Sequence, residues 1–155
     1  MIAKTVLDLA IARTMMIATA ESCTGGMVVA ALTDIPGSSA VVDRGFVTYS
    51  NDAKIDMLGV RPDTLDAHGA VSEEVARAMA EGAIAHSCAD IAVSITGIAG
   101  PGGSDHKPEG RVCFALSRKG LETLTETIEF GAVGRDRVRL LSRDHALDLL
   151  ARGLA

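Results

Sequence analysis

The 155-residue chain carries 15 Lys and Arg against 20 Asp and Glu, a formal net charge of −5. With one tyrosine, three phenylalanines and no tryptophan, it offers neither a basic footprint for nucleic acid nor aromatic platforms for stacking bases. Its three cysteines, Cys23, Cys88 and Cys113, are too few and too widely spaced for a disulfide framework or a metal-ligand pattern, and fit a reducing cytosol.

The length suggests one domain over residues 1–155. Residues 1–20 faintly suggest a signal peptide, but Asp8 and Arg13 interrupt the apolar core such a peptide needs. The spacing predicts instead a helix over 2–14 that packs on the sheet, with Ile2, Val6, Leu9 and Ala10 on one face. No run of about 18 apolar residues exists to span a membrane. The expectation is a soluble, cytoplasmic protein.

Met15 to Ala20 is apolar enough for a buried strand, and Met27 to Leu32 reads as a helix. Between them lies Glu21-Ser22-Cys23-Thr24-Gly25-Gly26, a sharp strand-to-helix turn. A serine beside a helix N-terminus has two readings: a cap for the orphan N–H groups, or a nucleophile beside donors for an oxyanion. Cys23 is a rival nucleophile, because a thiol at a helix N-terminus is expected to have a lowered pKa.

Ala40 to Ser50 reads as a strand with a bend or bulge at Asp43-Arg44-Gly45, followed by a short helix carrying Lys54. Pro62 suits the first position of a helix, and Ser72 an N-cap with Glu73 and Glu74 in the first turn. The helix it opens should run to His86, with Val75, Met79, Gly82 and Ala83 inward. Ile91 to Thr96 is a short buried strand feeding a loop dense in glycine, Gly97 to Gly103. Two β-rich runs, 111–117 and 121–130, are joined by the hairpin signal Arg118-Lys119-Gly120, and a helix runs from 134 to 154. Early helices between strands with a late hairpin predict an α/β fold, a three-layer α/β/α sandwich with a mixed sheet.

Ser22, Tyr49, Lys54 and Thr96 all follow or close predicted strands, where open α/β sheets bind ligands. The four histidines are scattered, so no Ser/His/Asp set is evident. A lysine serves as base when burial lowers its pKa, and Lys54 has Ile55, Met57 and Leu58 beside it; the alternative is a solvated helix lysine. The glycine loop suits either a phosphate cradle or a tight structural turn, and it is not a P-loop. Arg135, Arg137 and Arg139 form either a charged helix face or a phosphate partner.

Several blocks together resemble the CinA C-terminal domain family. They are Ala20 to Gly26, Pro36 to Ser39, Gly45 to Lys54, His68 to Glu73, Ile95 to Gly103 and Lys107 to Gly110, in the family's order and spread from about residue 18 to 147. The family includes nicotinamide-nucleotide amidases, so the resemblance implies hydrolysis of nicotinamide mononucleotide to nicotinate mononucleotide and ammonia. It implies Ser22 as nucleophile, Lys54 as its base and Tyr49 as a helper in the same network. Thr24, Gly25, Gly26, Thr96, Gly97, Gly100, Arg135 and Arg139 are the implied substrate-binding residues. The implied partner is a small-molecule pyridine mononucleotide, with no metal or cofactor, no nucleic acid, no membrane, and a homo-oligomeric state. The chain departs from the family at Val133-Gly134-Arg135, where Gly-Asp-Arg is usual. The resemblance implies the stand-alone form, without the extra N-terminal domain of longer members. Hydrolysis of another pyridine or nucleotide amide, or a non-catalytic nucleotide-binding module linked to competence or DNA damage, are the alternatives.

Overall fold

The computed structural model describes residues 2–104 and 106–155. Five strands form one sheet: β1 (Ile17–Glu21), β2 (Val42–Val47), β3 (Ile91–Gly97), β4 (Arg111–Arg118) and β5 (Leu124–Glu129). Their order is β2-β1-β3-β4-β5; β1 runs parallel to both neighbours, while β4 and β5 are antiparallel additions. The strands through the middle are buried on both faces, β1 at every position, as in a sheet covered on two sides.

Helices α1 (Ile2–Arg13), α2 (Met27–Thr33) and α6 (Arg135–Leu154) share one core with Ile17, Ile91, Val93, Ile95, Val112 and Phe114. Helices α3 (Asn51–Leu58), α4 (Pro62–His68) and α5 (Glu73–Ala85) cover the opposite face, around Ala18, Ala20, Phe46 and Ala92. The predicted sandwich and mixed sheet are therefore present. α5 buries Val75, Met79, Gly82 and Ala83 as its spacing predicts, and Ser72 accepts the Val75 N–H at 3.2 Å as its cap. Gly82 is required there, since a Cβ would stand 2.1 Å from the Leu58 carbonyl oxygen of α3.

Three local expectations shift. α1 buries Ala3, Val6, Leu7 and Ala10, with Ile2 and Leu9 only partly covered, and lies mainly against α6 rather than on the sheet. The segment before β2 begins with a 3-10 turn, Ser38–Ala40, so the strand is shorter than its β-branched run suggests. The last strand starts at Leu124 rather than Leu121, because the turn after Arg118 extends further than the hairpin signal. The bulge is where the sequence places it: Ile17 pairs with Val42 but Ala18 with Arg44, leaving Asp43 as the extra residue.

This topology positions the site. The chain leaves β1 for β2 on one side, then passes to β3 on the other, so the strand order reverses between β1 and β3. A crevice opens at such a switch point, beyond the carboxyl ends of the parallel strands.

Candidate active site

A cleft of about 380 Å³ lies at that end of the sheet. Ser22 after β1, Tyr49 and Lys54 after β2, and Thr96, Gly97 and Gly100 at and after β3 all line it, together with Arg135 from the start of α6. Cys23, Asn51, the Ala70-Val71 connection, Lys107 and the rest of the glycine loop also line it. The described lining holds Lys107 and Arg135, with Lys54 at the floor, and no carboxylate, a charge balance that favours an anion.

At its floor, Lys54 Nζ donates to Ser22 Oγ at 3.1 Å and to the carbonyls of Thr48 and Tyr49 at 2.9 and 3.2 Å. Lys54 is 1% exposed. Among the described residues it has no carboxylate partner, and burial pushes its pKa down from 10.5, with a smaller opposing pull from Cys23. The position follows from local sequence: Ser50 caps α3 by accepting the Ala53 N–H at 3.0 Å, and Lys54 then falls on the helix face that packs inward with Leu58. Burial that favours the neutral amine, beside a serine hydroxyl, is an arrangement in which an amine can serve as base and the hydroxyl as nucleophile.

Cys23 behaves opposite to the helix-terminus expectation. Burial raises its pKa to about 11, and its side chain belongs to the apolar core with Val28 and Ile95. Desolvation outweighs any dipole, so near neutral pH it is a thiol.

The α2 terminus explains this. Neither Ser22 nor Thr24 caps the helix; its N-cap is Gly26, with φ 106° and no side chain. Glu21, wholly buried, serves instead: its carboxyl accepts the N–H groups of Gly26, Val28 and Val29 at 3.2, 3.0 and 3.1 Å. It also accepts the hydroxyls of Thr24 at 2.7 Å and Thr19 at 3.2 Å. The donors expected to meet an anion at this terminus are engaged by the protein's own acid. Thr24, Gly25 and Gly26 accordingly lie outside the cleft lining.

Tyr49 also sits differently from the expectation. Its carbonyl faces Lys54 and Ser22, but its side chain is 63% exposed and its hydroxyl meets Arg135 Nη2 at 3.3 Å. Arg135 Nη1 donates to the Gly100 carbonyl at 2.6 Å, joining the glycine loop to α6 across the rim. Thr96 donates to Ala70 O at 2.8 Å. Arg139, one turn beyond Arg135, is absent from the lining and donates to the carbonyls of Cys23 and Thr24 at 3.0 and 3.5 Å.

Sequence reasoning assigned no role to Glu21, Lys107 or Asn51. An acid ending an otherwise apolar strand was the available signal for Glu21. Lys107 Nζ donates to His68 O and Val71 O at 2.6 and 2.5 Å, tying the chain after the glycine loop to the α4–α5 connection. Glu109 accepts the Gly102 N–H at 2.6 Å and shapes that loop from within. Among the described residues no group of three or more His, Cys, Asp and Glu is placed to hold a metal ion, and no helix is long and apolar enough to cross a membrane.

Comparison with known proteins meets this geometry from outside. The nicotinamide-nucleotide amidohydrolase PncC of Escherichia coli (strain K12) is 54% identical over 140 residues, covering 90% of this chain and 84% of that protein. Longer relatives share the same segment. The CinA-like protein of Chloroherpeton thalassium is 55% identical over 77% of this chain, which spans only 30% of its length, and a relative from Symbiobacterium thermophilum is 52% identical with 35% of its length spanned. Among solved structures, the competence/damage inducible protein CihA from Agrobacterium tumefaciens superposes with a TM-score of 0.94 at 49% identity, covering 99% of this chain and 93% of that one. The family model for the CinA C-terminal domain matches residues 1–154, and the chain belongs to that family.

Proposed function

We propose that the chain is an amidohydrolase that converts nicotinamide mononucleotide to nicotinate mononucleotide and ammonia. The observation that carries this reading is the Lys54–Ser22 contact at 3.1 Å, buried at the floor of a cationic cleft. The identity to PncC supplies the substrate class.

In this reading neutral Lys54 takes the Ser22 proton as Oγ bonds to the carboxamide carbon, and the carbonyl electron pair moves onto oxygen. The backbone N–H of Cys23, a residue of the cleft lining, donates to no carbonyl or carboxyl oxygen among the described residues and can receive that oxyanion. The intermediate collapses, the C–N bond breaks, and the lysine ammonium returns its proton to the departing nitrogen, releasing ammonia. Lys54 next takes a proton from water, whose oxygen attacks the acyl ester; Ser22 leaves with that proton as nicotinate mononucleotide forms. The pyridinium charge of the substrate further favours neutral Lys54. The phosphate lies toward Arg135, Lys107 and the glycine loop, where cations counter an overall acidic protein.

Ammonia release from nicotinamide mononucleotide by the purified chain, beside Ser22→Ala, tests the reading. The wild type releases it and the variant does not; a chain that binds the nucleotide without turnover is a binding module instead.

A further inference from the structure

Two charged side chains near Ser22 lie outside the cleft lining, and neither has an ionic partner among the described residues. Glu21 is fully buried and Arg139 is half-buried. We propose that they are positioning residues for the nucleophile, a role that rests on the reading of Ser22 given above. Glu21 gathers the donors of the Ser22–Gly26 turn and of the helix after it; Arg139 gathers the turn's acceptors.

The two sets of bonds interlock at Thr24. Its hydroxyl goes to Glu21 at 2.7 Å and its carbonyl to Arg139 at 3.5 Å, while the Cys23 carbonyl takes Arg139 Nε at 3.0 Å. The Cys23 carbonyl and the Thr24 N–H belong to one planar peptide unit. A guanidinium on that carbonyl therefore fixes the plane of the Cys23–Thr24 peptide. Arg139 thereby holds Cys23, whose own N–H is the unengaged donor beside Ser22, without touching substrate.

The sheet supplies the fixed base. Glu21 O accepts the Thr48 N–H at 2.9 Å and Ser22 N donates to Ile95 O at 2.9 Å, so the turn leaves β1 pinned to both neighbouring strands. Helices are ordinarily capped from their surface by a Ser, Asp or Asn at the N-cap, but here the N-cap is Gly26 with φ 106°. Burying a carboxyl at the strand end instead routes the cap through the turn that carries Ser22. Desolvating a carboxyl is costly, and the return is a nucleophile held in one geometry.

The expected substitution effects separate this role from phosphate binding and from general stability. Arg139→Met and Thr24→Val are measured in the full chain with nicotinamide mononucleotide, and Thr24→Val, close in shape, stands in if the arginine variant fails to fold. Misplacing a reacting group by about 1 Å costs on the order of a hundredfold, so kcat falls roughly ten- to a hundredfold in either variant while KM stays within about threefold. Arg139→Lys, which restores a donor, recovers part of kcat. In a Ser22→Ala background, adding Arg139→Met leaves the nucleotide's Kd unchanged. A raised KM and Kd with kcat preserved makes Arg139 a substrate ligand and overturns the proposal; so does an unchanged kcat in Thr24→Val. Failure of the underlying reading looks different: Ser22→Ala then keeps the wild-type rate.

Discussion

The two walls of the cleft are built in opposite ways. On one, Ser22 and Lys54 are 8% and 1% exposed, and Glu21 and Arg139 hold the turn through the Thr24 hydroxyl, the Gly26 N–H and the Cys23 carbonyl. On the other, Tyr49, Arg135 and the loop from Gly97 to Gly103 form a rim in which Tyr49 and Arg135 are solvent-exposed and contacts run through single hydrogen bonds. The lesson is a division of labour. Groups that move protons need fixed geometry and a desolvated setting that shifts a lysine toward neutrality. Groups that hold a phosphate need charge and reach, and tolerate water.

If that division is correct, damage to the buried wall appears in kcat and damage to the rim in KM. The largest effect is Ser22→Ala, with kcat lowered on the order of 10⁴- to 10⁶-fold and the thermal midpoint nearly unchanged, checked by ammonia release and calorimetry. Lys54→Arg comes next: a guanidinium keeps the charge but cannot give up its proton, so kcat falls roughly 10²- to 10⁴-fold. An arginine variant with most of its activity blurs the division, since charge alone is then enough.

Arg135→Ala probes the rim. Loss of a hydrogen bond to a charged group costs about 1.5–3 kcal/mol, which predicts KM for the mononucleotide up by roughly ten- to a hundredfold with kcat within a few fold. The same change on nicotinamide riboside, which has no phosphate, is near neutral; equal losses on both substrates place Arg135 in the chemistry instead. Smallest are Tyr49→Phe and Cys23→Ala. Among the described residues the phenol hydrogen-bonds to Arg135, and the buried thiol joins the core at the cleft's edge, so each alters kcat/KM by only a few fold in steady-state assays.

Much of this was legible in the sequence because local patterns and tertiary demands agree. The apolar run at Ile91 to Thr96, the Ser72 cap and the Asp43 bulge are fixed by burial and backbone chemistry that short segments carry. The meeting of Ser22, Lys54 and Thr96 was expected from strand ends, and the β2-β1-β3 order supplies it. What stayed hidden depends on which way a side chain turns. Cys23 and Ser22 are adjacent, and only the fold decides that the thiol enters the core. Tyr49 takes part at the cleft floor through its carbonyl, which no residue identity announces. Glu21 and Arg139 are 118 positions apart, and their shared turn exists only once α6 packs beside α2.

The central claim, that buried Lys54 is the base for Ser22, is tested most directly by the pH dependence of kcat/KM above neutrality in wild type and Cys23→Ala. Neutral lysine is the active form, so the rate rises with pH through the lysine's depressed pKa and levels above it. The account predicts a basic limb with its midpoint below the ordinary lysine value of 10.5, the same in both proteins. A limb near the thiol's value of about 11 that disappears in Cys23→Ala, or a rate that does not change with pH, contradicts it.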